Sequence, residues 1–166
     1  KKFIWQAAHC LFSVISQPTL VSITVGSSFR DGRGGQQHRA LRLFLHPGFV
    51  PGPNVNDVAV VRSITRFEFG RLVQPISLSN NNFIGVGVPG IFTGWGYVNY
   101  NAILPQRADR LQKMYTTTIS NVDCRERYSV THRAEFVVAQ KLCVISGPRT
   151  SVCGGIFLIL TKKAII

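Results

Sequence analysis

The sequence predicts an all-β fold, from three observations. Its 15 Gly and 8 Pro are scattered as punctuation, the mark of a chain with many turns. Its apolar residues come in short alternating stretches or short continuous runs, as half-buried and buried strands do. No helical apolar period persists for long, and no internal repeat is present. With 166 residues, 45% hydrophobic and 16% charged, the composition is globular, sufficient for one domain with a core or for two small halves.

The elements follow in chain order. Phe3 to Gln6 reads as the end of a strand that leads into a turn at His9. Leu20 to Gly26 alternates apolar and polar, a half-buried strand. Asp31-Gly32-Arg33-Gly34-Gly35 is a turn-rich loop. Ala40 to Leu45 is a second strand, ended by His46-Pro47, where the proline fixes the exit direction. His46 reads as structural. Phe49 to Asn56, with two prolines and a glycine, is a surface loop, and Val58 to Val61 is a continuous apolar run suited to a buried strand. Pro75 and Asn80-Asn81-Asn82 are linker-like, which sets a boundary near residue 80. Ile91 to Gly96 is a strand in which glycines allow close backbone packing and Trp95 adds core area. Tyr115 to Ile119 alternates as a strand, and Ser120-Asn121-Val122-Asp123 has the form of a helix start, with a short helix carrying Cys124. Leu142-Cys143-Val144 is a further strand, and Ile156 to Leu160 is an apolar run.

The formal net charge of +12 can attract glycosaminoglycan, anionic membrane or nucleic acid. The basic residues are spread along the chain with no dense run, and no nucleic-acid-binding motif is present, so no nucleic-acid partner is expected. The run from Ile156 to Leu160 is far too short to span a bilayer, and no membrane partner is expected. Four cysteines fit a secreted, extracellular protein. None forms a C-x-x-C pair, so neither a metal nor a cofactor is expected. With no signal peptide ahead of the His9 stretch, the chain reads as a mature segment or a truncated one.

The chemistry resides in a few short stretches. Ala7-Ala8-His9-Cys10 holds an imidazole, the side chain that titrates nearest neutrality. It suits general-base work if a carboxylate orients one ring nitrogen and a nucleophile meets the other. Taken alone, a histidine such as His9 is usually structural or solvated. Asn56-Asp57-Val58-Ala59-Val60-Val61 places one acid before an apolar run, where an acid is commonly a turn or cap residue. Then come Val73-Gln74-Pro75-Ile76, Thr93-Gly94-Trp95-Gly96, Leu104-Pro105 through Leu111-Gln112, and Cys153-Gly154-Gly155.

In this order the stretches resemble the chymotrypsin/trypsin family of serine endopeptidases, over nearly all of residues 3–155. The resemblance implies two antiparallel Greek-key barrels of the six-stranded type, packed side by side. The N-terminal barrel would occupy residues 1–80 and the C-terminal one 81–166, together one peptidase domain. It implies that both ends of the family domain are missing here, so that each barrel is open, with unpaired edge strands and the 156–160 run beside one of them. It makes His9 the base and Asp57, 48 residues on, the acid that orients it, both lining the cleft between the barrels. It pairs Cys124 with Cys143, a loop closure of roughly 3 kcal/mol in the chain-entropy model, and leaves Cys10 and Cys153 without their family partners.

The family's nucleophile lies in a GDSGG stretch soon after a cysteine. Here Cys153 runs directly into Gly154-Gly155-Ile156, and no serine follows Ser151. Ser151 occupies the place of the residue at the base of the family's specificity pocket, where the absence of a carboxylate suggests apolar or aromatic preference; it reads equally as a plain loop serine. Three readings follow. The chain descends from a secreted endopeptidase acting on peptide or protein substrates, with its activity lost. Or it is a non-catalytic homologue, a regulatory module that binds a protease, an inhibitor or a polyanion. Or it is a truncated product without function.

Overall fold

The computed structural model describes residues 2–78, 85–99, 106–129, 137, 142–146 and 158–160. Among these residues the architecture is mostly β with one short α-helix. The strands are β1 (Phe3–Gln6), β2 (Ser22–Val25), β3 (Gln36–Leu45), β4 (Ala59–Ser63), β5 (Pro89–Gly94), β6 (Tyr97–Asn99), β7 (Gln106–Arg107), β8 (Gln112–Ile119), β9 (Cys143–Ser146) and β10 (Leu158–Leu160). The helix, α1, spans Asn121–Ser129.

Two antiparallel four-stranded sheets result, in the orders β1-β4-β3-β2 and β10-β5-β8-β9, and β6 pairs with β7 in a small ribbon. In the second sheet three strands follow one another and a later one returns beside the first, which is the Greek-key order. The first sheet has the same order run from its other end. Each sheet is open among the described residues. The boundary expected near residue 80 falls within 79–84, outside the described residues.

Burial follows the alternation of side chains along each strand. In β2, Ile23 and Val25 are buried while Ser22 and Thr24 face solvent. The Val58–Val61 run is not sheltered on both sides. In β4, Ala59, Val61 and Ser63 are buried, while Val60 and Arg62 lie on the half-exposed face beside Trp5 and Phe44. β3 starts at Gln36, four residues ahead of the apolar stretch, because Gln36–Arg39 pair with β2. A bulge between Ala40 and Arg42 changes its phase, so Ala40 and Leu43 both point inward although three positions apart. The core of this half joins Ala8, Leu11, Ile23, Val25, Ala40, Leu43, Ala59, Val61, Phe67 and Val73. Gly26 ends β2 with φ +78°, and a Cβ there would come within 2.8 Å of Val73 Cγ2, so the site needs glycine on two counts.

The loop after β2 docks on the second half. Arg30 N–H donates to Asp109 O at 2.8 Å and Leu111 N–H to Ser28 O at 2.7 Å. Trp95, expected to add core area, is only partly buried; its indole N–H donates to Ser28 O at 3.0 Å. Arg33 bonds both Asp31 and Asp109 and covers the Phe29 ring. The backbone N–H of Arg33, then its guanidinium, holds the Asp31 carboxyl below its ordinary range.

At the start of α1, Ser120 Oγ accepts from Asp123 N–H at 3.0 Å and donates to Asp123 Oδ2 at 2.7 Å. This closes one of the free donors of the first turn. Ser120→Ala is expected to lower the unfolding free energy by about 0.5–2 kcal/mol, read as a shift of the urea midpoint. An unmoved midpoint would mean the cap contributes nothing.

Candidate active site

β1 runs into a single 3-10 turn, Ala8–Cys10, and Asp57 stands two residues before β4. Because β1 and β4 pair antiparallel, with Gln6 opposite Ala59, the exit of one strand meets the entry of the other. Ala8, with no exposed surface, and Leu11, 4% exposed, anchor the turn in the core. His9 is therefore presented outward, its side chain about half exposed.

Asp57 binds this turn through both oxygens. Oδ1 accepts the His9 backbone N–H at 2.8 Å, and Oδ2 meets His9 Nδ1 at 2.6 Å. An ionised carboxylate only accepts, so the ring proton belongs on Nδ1 and the Nε2 lone pair is left free to take a proton. The loop that delivers Asp57 is itself braced. Asn56 holds a left-handed backbone, φ 53°, which asparagine tolerates better than most residues. Its Nδ2 donates to Gly48 O at 2.8 Å, and Gly48 N–H donates to His46 Nδ1 at 3.1 Å.

The second neighbour of His9 is Cys10. Its Sγ lies 3.3 Å from His9 Nε2, and it forms no disulfide. Burial pushes the Cys10 thiol above its ordinary range, and the negative charge of Asp57 pushes it further. Sequence reasoning left Cys10 without its family partner and gave no signal of this contact.

In the second half, Cys124 on α1 is bonded to Cys143 on β9, with Cα atoms 6.1 Å apart. Both are buried, in a cluster with Val137. Ser151, Cys153, Gly154 and Gly155 lie outside the described residues. Among the described residues no group of three His, Cys, Asp or Glu could hold a metal ion, and no helix is long and apolar enough to cross a membrane.

A family model described as Trypsin matches residues 1–156. The chain belongs to the trypsin family. Chymotrypsin-2 of Vespa crabro is 26% identical over 128 residues, covering 77% of this chain and 56% of its own. Trypsin beta of Drosophila erecta is 29% identical over 134 residues, covering 72% of this chain and 51% of its own. The chain thus spans about half the length of these curated trypsin-family relatives. Among solved structures, neuropsin, a serine protease expressed in the limbic system of mouse brain, superposes with a TM-score of 0.74 at 20% identity, over 95% of this chain and 68% of that one. The two Greek-key sheets are therefore the trypsin-family fold, and the junction of β1 with β4 is where this trypsin-family chain joins His9 to Asp57.

Proposed function

We propose that this chain carries the base and the orienting acid of a serine endopeptidase, His9 and Asp57, without its nucleophile, and that it does not turn over peptide bonds. The observation that carries the reading is the 2.6 Å contact of Asp57 with His9 Nδ1, which puts the ring proton on Nδ1 and leaves the acceptor lone pair on Nε2. Against turnover stands the interior of the sequence. Cys153 is followed at once by Gly154-Gly155, where the family places its serine and a glycine just before it. Those two residues supply the attacking hydroxyl and both backbone donors to the oxyanion, and each donor is worth about 100- to 1000-fold in rate. The protein is secreted, and its ancestral substrates are proteins or peptides with apolar or aromatic residues at the cleavage site, since Ser151 puts no carboxylate at the pocket floor.

The test is incubation of the folded chain with a serine-reactive fluorophosphonate and with aromatic and basic peptide amides. No serine is expected to be labelled and no amide cleaved. Stoichiometric labelling of a serine, with amide turnover lost in His9→Ala, would overturn the proposal and point to Ser151 as the substitute nucleophile.

A further inference from the structure

Asp57 grips the His9 turn at two points, the backbone N–H at 2.8 Å and Nδ1 at 2.6 Å. Two bonds to one carboxylate fix its plane as well as its distance, so the direction in which the backbone delivers Asp57 has to be right. That direction is set one residue earlier. Asn56 stands at φ 53°, in the left-handed region. Its carbonyl accepts the Val58 N–H at 2.7 Å, which makes Asp57 the middle residue of a tight three-residue turn. On its other side the Asn56 amide is seated on Gly48. Nδ2 donates to Gly48 O at 2.8 Å, and a Cβ on Gly48 would lie 3.1 Å from that nitrogen. Behind it the loop is closed by Val50 N–H on Val55 O at 3.1 Å. A left-handed backbone is unfavourable for residues other than glycine and persists only where the surroundings hold it.

We propose that Asn56 is a positioning residue, whose left-handed backbone aims the Asp57 carboxylate and thereby keeps the His9 ring proton on Nδ1. The inference rests on the His9–Asp57 reading above and deepens it, because Asn56 acts on the imidazole through Asp57. A neutral imidazole free in water prefers its proton on Nε2, and an acceptor held on the Nδ1 side reverses that preference. When the carboxylate loses its aim, the proton returns to Nε2.

The test reads the tautomer from the ring-nitrogen chemical shifts of His9 in the whole chain, at a pH high enough for a neutral imidazole. His9→Gln identifies the signals by removing them. Asn56→Gly gives up the amide but adopts the left-handed backbone without strain, whereas Asn56→Val is of similar size and resists positive φ. The parent and Asn56→Gly are expected to hold the proton mainly on Nδ1, and Asn56→Val mainly on Nε2. The amide signal of Val61, inside the β3–β4 ladder, shows that a variant is folded. Should Asn56→Val not fold, Asn56→Ala takes its place with the same expected direction. A residue that only stabilises its loop would lower the urea midpoint and leave the proton on Nδ1. Asn56→Val with its proton still on Nδ1, or Asn56→Gly with its proton moved to Nε2, would overturn the proposal. A parent chain with the proton already on Nε2 would overturn the His9–Asp57 reading itself, and the proposal with it.

Discussion

Leu43→Ala is expected to lower the unfolding free energy by about 2–5 kcal/mol, the range for truncating a core leucine. Leu43 is 9% exposed and stands opposite Val61 in the β3–β4 ladder. It points inward only because the bulge after Ala40 has shifted the strand's phase. Its cluster includes three alanines among larger residues: Ala8, Ala40 and Ala59 are each 2% exposed or less. Alanines have no chain to swing into a void, and the backbone of Ala59 is pinned between β1 and β3, opposite Gln6 and Leu45, so on that side the cavity closes little. Urea unfolding with an unchanged slope would register it as a lower midpoint. A loss under about 1 kcal/mol would mean that the sheet relaxes onto the gap.

Removing the Cys124–Cys143 bond, as the double change Cys124→Ala and Cys143→Ala, is expected to cost about 2–4 kcal/mol. The bond closes a loop with a sequence separation of 19, and its loss frees the unfolded chain more than the folded one. It also ties α1, in which Cys124 is the one buried residue among the described side chains, to β9. Both sulfurs are buried, at 4% and 7% exposure, so the alanines leave some space as well. The double change avoids a stranded buried thiol that could pair elsewhere. Equilibrium unfolding of the double variant beside the parent measures the loss. Equal stability would mean that packing alone holds α1 in place.

How far these features were legible in the sequence depends on whether their cause is local. The alternation of Leu20–Gly26 marked β2, and Ser120-x-x-Asp123 marked the start of α1, because a strand face and a helix cap are each written in a few adjacent residues. The meeting of His9 with Asp57 was legible through motif resemblance alone, since nothing in a spacing of 48 residues dictates a contact. The first four residues of β3 were not legible. Gln36-Gln37-His38-Arg39 is polar, and its one buried member, His38, is accommodated by Thr65 Oγ1 at 2.6 Å and by the edge-on ring of Phe67, both distant in sequence. The half exposure of Val60 depends on which strands flank β4 and on what lies beyond them. The contact of Cys10 with His9 depends on a side-chain rotamer, which no pattern of residue types encodes.

The register of β1 carries a consequence for how long the His9–Asp57 pair survives thermal motion. Among the described residues β1 is an outer strand, four residues held by one neighbour, with Phe3 and Trp5 about half exposed. Such a strand opens locally at lower free energy than the strands inside it. The strand is tied at both ends. Ahead of Phe3, Lys2 O accepts from Ser63 N–H at 2.8 Å and Lys2 Nζ donates to Ile64 O at 2.8 Å, and beyond Gln6 the chain is clamped by Ala8 and Leu11 in the core. The histidine and the carboxylate stand just past the Gln6–Ala59 pair, behind the last tooth of the ladder. Fraying of the first pairs leaves them joined; only when Gln6 lets go of Ala59 and the clamp releases does the imidazole drift from its acid.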